Sequence, residues 1–237
     1  MTLSLIIPVY NEIEQLKFTV KKLLKLKKKI NKIEFIFIDD FSTDDSFNFL
    51  KKISNKIRSV KIFRNKKKGL GSAIEEGIKK SKSKYLCIFM CDLSDSVNDV
   101  EIYYKTINVE KVDAVLGSRF INKSKVNNYP LFKLFLNRFA NNIIRIIFFS
   151  DYNDFTNAFK IYERKILLKL FPLVSENFNI FLELPLKIIT RKYKYKIIPI
   201  SWNGRSHGVS KFRIKEIGSM YIFTLLYCFF EKLLLNK

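Results

Sequence analysis

The chain has 237 residues, 48% of them hydrophobic and 15% aromatic, which is enough for one domain with a buried core and excludes a disordered protein. Its 44 lysines and arginines against 22 acidic residues give a net charge of +22, which favours an anionic partner. Such a partner is a nucleic acid, an acidic membrane surface or a phosphorylated substrate. The three cysteines lack metal-ligand spacing and indicate a reducing compartment. The first strand begins at Leu3, so we expect no signal peptide.

The first part of the chain alternates between apolar runs and amphipathic segments. Strands are predicted over Leu3–Tyr10, Glu34–Asp40, Ser59–Arg64, Lys84–Met90 and Val112–Ser118. Helices are predicted between them, at about residues 12–30, 47–57, 69–80 and 97–107. Five alternations of strand and helix predict a doubly wound α/β sheet.

The pattern changes after Arg119, where a long amphipathic segment covers residues 131–149. Its polar residues Lys133, Asn137, Asn141 and Arg145 recur every four positions, joined by Arg138 and Asn142. A broad apolar face beside a narrow polar stripe is typical of a helix in a lipid interface, and equally of a helix packed against a core. Both interpretations stay open at this point.

The last third contains a polar turn over 151–159, helices over 163–171 and 178–192, and a strand over 195–200. A basic, glycine- and serine-containing loop over 201–212 leads into a final helix over 214–235. No segment reaches roughly eighteen uncharged apolar residues, so we predict no transmembrane helix. The aromatic content of the last helix favours a membrane surface over a buried position.

Several common catalytic motifs are missing from the sequence. There is no dinucleotide fingerprint, no phosphate-binding loop with Gly-Lys-Ser/Thr and no nucleophile-elbow serine. The single histidine, His207, lies in the basic loop and has no second histidine with which to bind a metal. Hydride transfer, P-loop phosphoryl transfer and serine hydrolysis are therefore poorly supported.

Carboxylates instead follow the predicted strands, where ligands bind in an open parallel sheet. Asp39 and Asp40 end the second strand, and either bind a metal or only begin a turn whose next residues cap a helix. Carboxylates that hold a hard divalent ion, beside arginines that bind phosphate oxygens, form a diphosphate-handling site. The other candidates are the carboxylates Glu12, Asp92 and Asp95 and the cations Arg119, Arg138, Arg164, Arg205 and Lys211.

A set of ordered motifs resembles the family 2 glycosyltransferases of the GT-A fold. The first are Ile7-Pro-Val-Tyr-Asn-Glu12, Ile38-Asp-Asp-Phe-Ser-Thr-Asp44 and Gly69-Leu-Gly-Ser-Ala73. Asp92-Leu-Ser-Asp95, Gly117-Ser-Arg119, Asp154-Phe-Thr-Asn-Ala-Phe159, Glu183-Leu184 and Trp202-Asn-Gly-Arg-Ser-His-Gly-Val-Ser-Lys211 follow in order. Together they are similar to the polyprenyl-phosphate sugar transferases, the dolichol-phosphate mannose synthase group and its bacterial relatives. The resemblance implies a GT-A fold, a Rossmann-like mixed sheet, with C-terminal amphipathic interfacial helices.

The resemblance also implies residue roles. Pro8, Tyr10, Glu12 and Asp40 would hold the base and ribose of a sugar nucleotide, GDP-mannose or a UDP-sugar. Asp92 would bind Mg²⁺ or Mn²⁺ at the donor diphosphate, with Ser94 as a weak oxygen ligand or a water anchor. Arg119, Arg205 and Lys211 would grip the donor diphosphate and the acceptor phosphate, and Arg138 would meet a lipid phosphate. The catalytic residues would be Asp92, Arg119, Arg138 and Arg205.

One position departs from the family pattern. The family's metal motif is usually Asp-x-Asp, whereas this chain reads Met90-Cys-Asp92, so Met90 stands among the donor-binding positions without a carboxylate. The loss of one charge predicts weaker metal binding, a heavier role for Asp92, or a weakened or inactive catalyst.

These observations predict an inverting hexosyltransferase that uses a polyprenyl phosphate, dolichyl or undecaprenyl, as acceptor. The alternatives are transfer to a saccharide or protein, and a non-catalytic binder of sugar nucleotides or lipid phosphates. Nucleic acid is not an expected partner, because the lysines are spread over many helix faces. We expect a catalytic domain over residues 1–212, with 131–149 as an inserted interfacial helix, and a membrane-surface helix over 213–237. The expected location is the cytoplasmic face of a membrane, at an anionic surface.

Overall fold

A computed structural model describes residues 2–204 and 214–235 of the chain. Its centre is a seven-stranded mixed sheet with the strand order β3-β2-β1-β4-β7-β5-β8. The strands of this sheet are β1 (Leu3–Val9), β2 (Ile33–Asp39), β3 (Val60–Arg64), β4 (Tyr85–Ile88), β5 (Ala114–Ser118), β7 (Lys160–Glu163) and β8 (Tyr195–Pro199). Every residue of β1 and β2 is buried, as expected for central strands covered by helices on both faces.

Helices connect the parallel strands and cover the sheet. They are α1 (Ile13–Lys29), α2 (Ser46–Lys56), α3 (Leu70–Lys80), α4 (Val97–Glu110), α5 (Leu131–Phe148), α6 (Arg164–Lys169), α7 (Ile180–Thr190) and α8 (Ile214–Leu235). Helix α1 buries Leu16, Val20 and Leu23 at helical spacing, and its lysines face outward. The predicted alternation of strands and helices up to Ser118 is confirmed, with boundaries shifted by a few residues.

Three strands were not predicted. Strand β7 runs antiparallel between β4 and β5, with Tyr85 opposite Glu163. Its residues follow a polar segment and precede a short helix, so no long apolar run identifies them. Strands β6 (Lys125–Asn127) and β9 (Ser201–Asn203) form a separate two-stranded parallel sheet. Each has three residues, too few for a detectable pattern.

Helix α5 turns two of its polar residues, Asn137 and Asn141, toward the protein. Asn141 is fully buried, and its Oδ1 accepts a hydrogen bond from the backbone N–H of Phe155 at 2.6 Å. Asn137 donates to the hydroxyl of Thr156 at 2.9 Å. Ile144 and Phe148 pack into the core, whereas the helix exposes a row of large apolar residues, namely Leu131, Phe132, Phe135, Leu136, Phe139, Ile143 and Ile146. Core packing therefore describes only part of α5, and the lipid-interface interpretation of its exposed face stays a prediction.

Helix α8 packs along α7 on one side only. Tyr221 donates to the carbonyl of Phe178, and Thr224 accepts from Asn179 at 2.9 Å. Its large apolar residues Ile222, Phe223, Leu226, Phe230, Leu233 and Leu234 are exposed. By length and composition alone, Gly218–Leu235 is apolar enough to cross a membrane, and 11% of this stretch is buried. The expectation that no segment qualifies as a span is thus not met, although Glu231 and Lys232 lie within it.

Candidate functional site

Hydrogen bonds join the loops that follow β1 and β2 into one surface at the carboxyl edge of the sheet. Asn11, which has a left-handed backbone (φ 51°), accepts through Oδ1 from the backbone N–H of Thr43 at 2.7 Å. Asp44 accepts from the backbone N–H of Ile13, and the hydroxyl of Ser46 accepts from that of Glu12. Because each turn satisfies the backbone of the other, the loops after β1 and β2 are held as a unit. Pro8, Tyr10 and Glu12, the predicted donor-binding residues, lie on this unit.

Asp40 fixes a third loop at the same edge. Its carboxylate accepts from the side chain of Asn65 at 2.8 Å and from the backbone N–H of Gly69 at 2.9 Å. Gly69 has φ 140°, and a Cβ there would lie 2.4 Å from the carbonyl oxygen of Glu176, so only glycine fits. The predicted role of Asp40 at the nucleoside therefore comes with a clear structural one.

The neighbouring Asp39 has a different environment. Its side chain is buried, and burial raises its pKa above the ordinary value. Within the described part of the chain, neither carboxylate oxygen has a hydrogen-bond partner. Asp39 is thus a buried residue at the start of the turn, next to Ser42, and both of its interpretations stay open.

The loop after β4 carries the predicted metal ligands. Asp92 accepts from the backbone N–H of Ser94 at 3.0 Å, across Leu93, whose backbone is left-handed (φ 56°). Met90 packs against the apolar cluster beneath the sheet. Asp95 is buried, and burial together with the nearby Asp92 raises its pKa to about 8.

A buried ion pair lies beside this loop. Arg119 donates from Nε and Nη2 to the two carboxylate oxygens of Asp154, at 2.8 and 2.6 Å. Burial alone would lower the pKa of Arg119, but the Asp154 carboxylate raises it. Lys160, also buried, donates to the carbonyl oxygens of Phe155 and Asn157, and burial lowers its pKa to about 7. Arg119 is thus held in a two-pronged contact with Asp154, and Tyr129 lies beside it.

Arg119 and Arg138 come together at a cavity of about 510 Å³. Both guanidinium groups lie over the ring of Phe120, at 5.2 and 5.5 Å from its centroid. Apolar residues of α5, Leu131 and Leu134, form the wall on the side of the exposed apolar face. The cavity therefore combines two cations with an apolar rim.

The strand pair β6–β9 supports this cavity. The rings of Tyr129 and Trp202 are 4.8 Å apart, and the guanidinium of Arg119 lies over both. The remaining predicted cations, Arg205 and Lys211, lie outside the described residues, as does His207.

The residues present fit a divalent ion only in a shared site. No group of three or more His, Cys, Asp or Glu side chains with metal-binding geometry occurs among residues 2–204 and 214–235. Asp92 supplies a carboxylate at the loop, and one oxygen of the buried Asp95 has no hydrogen-bond partner within those ranges. A hard cation here would take its other ligands from a diphosphate and water, as Mg²⁺ commonly does.

The family model for "Glycosyl transferase family 2" matches residues 4–171, most of the chain. The chain belongs to glycosyl transferase family 2. This family 2 glycosyltransferase is 28% identical over 224 residues to a dolichol-phosphate mannosyltransferase of Pyrococcus furiosus, covering 92% of the chain and 61% of the relative. It is 26% identical over 212 residues to the polyprenol monophosphomannose synthase of Mycolicibacterium smegmatis, covering 87% of the chain and 79% of the relative. The chain thus spans less than two thirds of the Pyrococcus protein.

Solved structures share its fold. Glucosyl-3-phosphoglycerate synthase from Mycobacterium tuberculosis, in complex with Mn²⁺, UDP and phosphoglyceric acid, superimposes with a TM-score of 0.71 at 16% identity. That match covers 96% of this glycosyltransferase and 78% of the synthase. S. aureus TarS 1-349 matches with a TM-score of 0.62 at 17% identity, over 86% of this chain and 60% of TarS. The predicted family and the predicted GT-A fold are confirmed.

Asp154 is the main site residue to which the sequence assigned no role. It was part of a recognised motif, but nothing in the sequence marks it as the partner of Arg119, 35 positions earlier. The sequence signal that could have marked Asp154 as a site residue is its position in the same motif as Asn157, at the start of the segment that leads into β7.

Proposed function

We propose that this glycosyltransferase moves a hexose, with inversion, from a nucleotide sugar to a polyprenyl phosphate at a membrane surface. The observation that carries the proposal is the cavity where Arg119 and Arg138 meet the apolar rim of α5. Two cations attract a phosphate, and an adjoining apolar surface accommodates a hydrocarbon chain. The names of the Pyrococcus and Mycolicibacterium relatives support the same acceptor class.

In this proposal the donor binds on the surface formed by the turns after β1 and β2. Pro8, Tyr10, Glu12 and Asp40 hold the base and ribose, and Met90 borders the sugar nucleotide. Asp40 also keeps the loop around Gly69 in place, so the pocket is preorganised. Arg205 and Lys211 are proposed to contact the phosphates.

Asp92 holds the divalent ion, Mg²⁺ or Mn²⁺, with Ser94 as a weak oxygen ligand or water anchor. When bound, such an ion stabilises the negative charge of the leaving nucleoside diphosphate. Arg119 adds its positive charge beside the same group and stays oriented by Asp154. The acceptor phosphate is ionised near neutral pH, so it attacks the anomeric carbon without a strong general base.

The apolar outer faces of α5 and α8 support peripheral binding to a membrane. Within the described residues the two helices meet where Phe148 packs edge-on against Phe229, with ring centroids 6.4 Å apart. The charged residues near the end of α8 contact the domain: Glu231 pairs with Arg191, and Lys232 donates to the carbonyl of Ile147. The contacts of α8 with α7, and the contacts that these charged residues make with the domain, support an orientation in the membrane surface rather than across it.

The net charge of +22 supports an anionic surface, proposed to be the cytoplasmic leaflet. Each basic residue close to such a surface contributes about 1 kcal/mol of attraction, which salt screens. Flotation of the protein with anionic vesicles, lost on raising the salt concentration, tests this part of the proposal.

A transfer assay tests the activity. Purified protein is mixed with labelled GDP-mannose, UDP-glucose or UDP-GlcNAc, Mg²⁺ or Mn²⁺ and a polyprenyl phosphate, and label is followed into organic solvent. Arg138→Ala is expected to raise the lipid phosphate concentration needed for half-maximal rate at least ten-fold, with unchanged nucleotide affinity. Lys133→Ala is the control, because Lys133 lies on the same helix and outside the cavity. Equal loss of both affinities would make Arg138 a structural residue.

Asp92→Ala is expected to abolish transfer, and wild-type turnover in that variant would contradict its role at the metal. Met90 favours a second candidate, a non-catalytic binder, since one carboxylate of the usual motif is missing. Nucleotide binding without transfer from any donor to polyprenyl phosphate or to a saccharide would support the binder.

A further inference from the structure

The loop after β4 has a second carboxylate three residues beyond Asp92. Asp95 is 3% exposed, and its Oδ1 has no hydrogen-bond partner among the described residues. Burial of a carboxyl oxygen without a hydrogen-bond partner is costly, so native proteins rarely keep one unless it binds a ligand or has another function. Asp95 therefore calls for an explanation that the fold alone does not supply.

The nearby cations are already engaged. Arg119 makes its two-pronged contact with Asp154, and Lys160 donates to the carbonyl oxygens of Phe155 and Asn157. The charged group that acts most strongly on Asp95 is another carboxylate, that of Asp92. Arg119 and Lys160 also favour the charged form of Asp95, but within the described residues no group donates a hydrogen bond to its Oδ1. Two neighbouring carboxylates, one of them with an unpartnered oxygen, are an arrangement that a divalent ion would stabilise.

The loop holds Asp95 in place through its backbone. Residue 95 forms an isolated bridge with Trp202, and the carbonyl of Ser94 accepts from the backbone N–H of Asn203 at 2.8 Å. Leu93 adopts a left-handed conformation that costs about 1–2 kcal/mol for a residue with a Cβ. Strained residues persist at functional sites where the surroundings enforce them. The turn at Leu93 brings Asp92 and Asp95 close enough to act on each other.

We propose that Asp95 is the second acidic ligand of the divalent cation, in place of the carboxylate that Met90 lacks. The protein's share of the site is then the pair Asp92 and Asp95, three positions apart in one loop, and the donor diphosphate supplies further oxygens. Oxygen ligands of this kind suit Mg²⁺ or Mn²⁺. This inference rests on the proposed metal-dependent transfer, and it explains how a chain with methionine at position 90 keeps its metal.

Manganese binding tests the proposal without any turnover. Mn²⁺ is titrated into the protein with UDP or GDP present, and the free ion is counted by electron paramagnetic resonance. Asp95→Asn keeps the shape of the side chain and removes its charge, and is expected to weaken Mn²⁺ binding at least ten-fold. Asp99→Asn is the matched control, since Asp99 is also buried and its carboxylate accepts from the backbone N–H of Ser201. It should bind Mn²⁺ like wild type.

A compensating substitution separates a ligand from a structural residue. Met90→Asp, which restores the usual motif, is expected to recover most of the Mn²⁺ affinity in the Asp95→Asn background. If the Asp95→Asn protein does not fold, Asp95→Ser replaces it, with the same expected loss of Mn²⁺ binding and the same recovery by Met90→Asp. Wild-type affinity in folded Asp95→Asn, or no recovery by Met90→Asp, would overturn the proposal. Mn²⁺ binding that depends on Asp95 in a protein without transferase activity would contradict the proposed function alone.

Discussion

Helices α5 and α7 are both rich in apolar residues, yet one is exposed and the other is buried on nearly every side. In α7, the apolar residues and the charged pair Glu183 and Lys187 are all inside, with 2.7 Å between carboxylate and ammonium. In α5, Asn137 and Asn141 face the protein while Phe132 and Phe135 face outward. Apolar content is therefore a poor guide to which helix is in the core.

The polar residues decide the orientation of both helices. Glu183 accepts from the backbone N–H groups of Val174 and Ser175, and Asn141 accepts from that of Phe155. In each case a buried polar side chain satisfies a loop that has no ladder partner. The apolar residues of α7 then fall inside the domain, whereas those of α5 are left for another surface.

The largest expected loss of stability follows from removing the ion pair in α7. Glu183→Ala leaves the ammonium of Lys187 buried without its carboxylate and removes two loop hydrogen bonds, so we expect about 3–5 kcal/mol less stability. Urea unfolding measures the change. Glu75 and Lys79 provide the control, because they form an exposed pair with the same spacing. Glu75→Ala should cost less than about 1 kcal/mol, and equal losses would contradict the argument from burial.

A smaller loss of stability is expected when Glu34 is changed, because its partner Lys61 is partly exposed. Burial would raise its pKa, but hydrogen bonds from Lys61, Ser4 and Ser83 lower it overall. A lowered carboxyl pKa stabilises the fold above the unfolded value of 4.5, and this contribution is lost as pH falls through the lower folded value. Glu34→Gln should therefore lose about 2 kcal/mol at pH 7, with the gap to wild type narrowing below pH 4.5. If the difference in unfolding free energy between wild type and Glu34→Gln stays constant down to acid pH, the lowered pKa of Glu34 does not stabilise the fold.

Asn141→Ala tests the inward face of α5. It leaves the backbone N–H of Phe155 buried without its acceptor, which costs about 1–3 kcal/mol. Thermal unfolding measures the change, and Asn142→Ala, at an exposed position of the same helix, should be nearly neutral. If both substitutions lower the stability equally, the buried Asn141 does not orient the helix.

The smallest change in stability is expected on the outer face. Phe135 and Phe139 are 67% and 58% exposed, so changing both to Ser should alter stability by no more than about 1 kcal/mol. Binding to anionic vesicles should fall ten-fold or more, because each ring loses about 1.5–3 kcal/mol of burial in lipid. Phe18→Ser is the control, since Phe18 is 59% exposed on α1, away from this face. A similar loss of vesicle binding in that variant would argue against α5 as the contact surface.

The sequence predicted the fold best where pattern and structure are local. The alternation up to Ser118 and the long helices were predicted, since each depends on the spacing of its own residues. Strand β7 was missed because its place between β4 and β5 depends on partners some 75 and 46 positions away. The orientation of α5 was also undetermined, because its stripe is the same whether it faces water or the loop at Phe155.

The site was predicted in part for the same reason. Motif order indicated Asp92 and Arg119, the polar stripe of residues 131–149 indicated Arg138, and the fold brings the two arginines to one cavity. The pairing of Arg119 with Asp154 needed coordinates, since two residues 35 positions apart carry no joint signal in one sequence. The same holds for Asp40, whose hydrogen bonds to Asn65 and Gly69 cross two loops.

The attachment of α5 has a mechanical consequence. The helix is about 27 Å long, and its hydrogen bonds to the domain begin at Asn137 and continue to Arg145, which donates to the carbonyl of Ser150. Its first two turns begin just after Tyr129, whose ring lies 4.8 Å from that of Trp202. Leu131 and Leu134, on these turns, form a wall of the arginine cavity, and the rest of the helix holds the loop that carries Asp154. One helix therefore joins the wall of the cavity to the loop that orients Arg119.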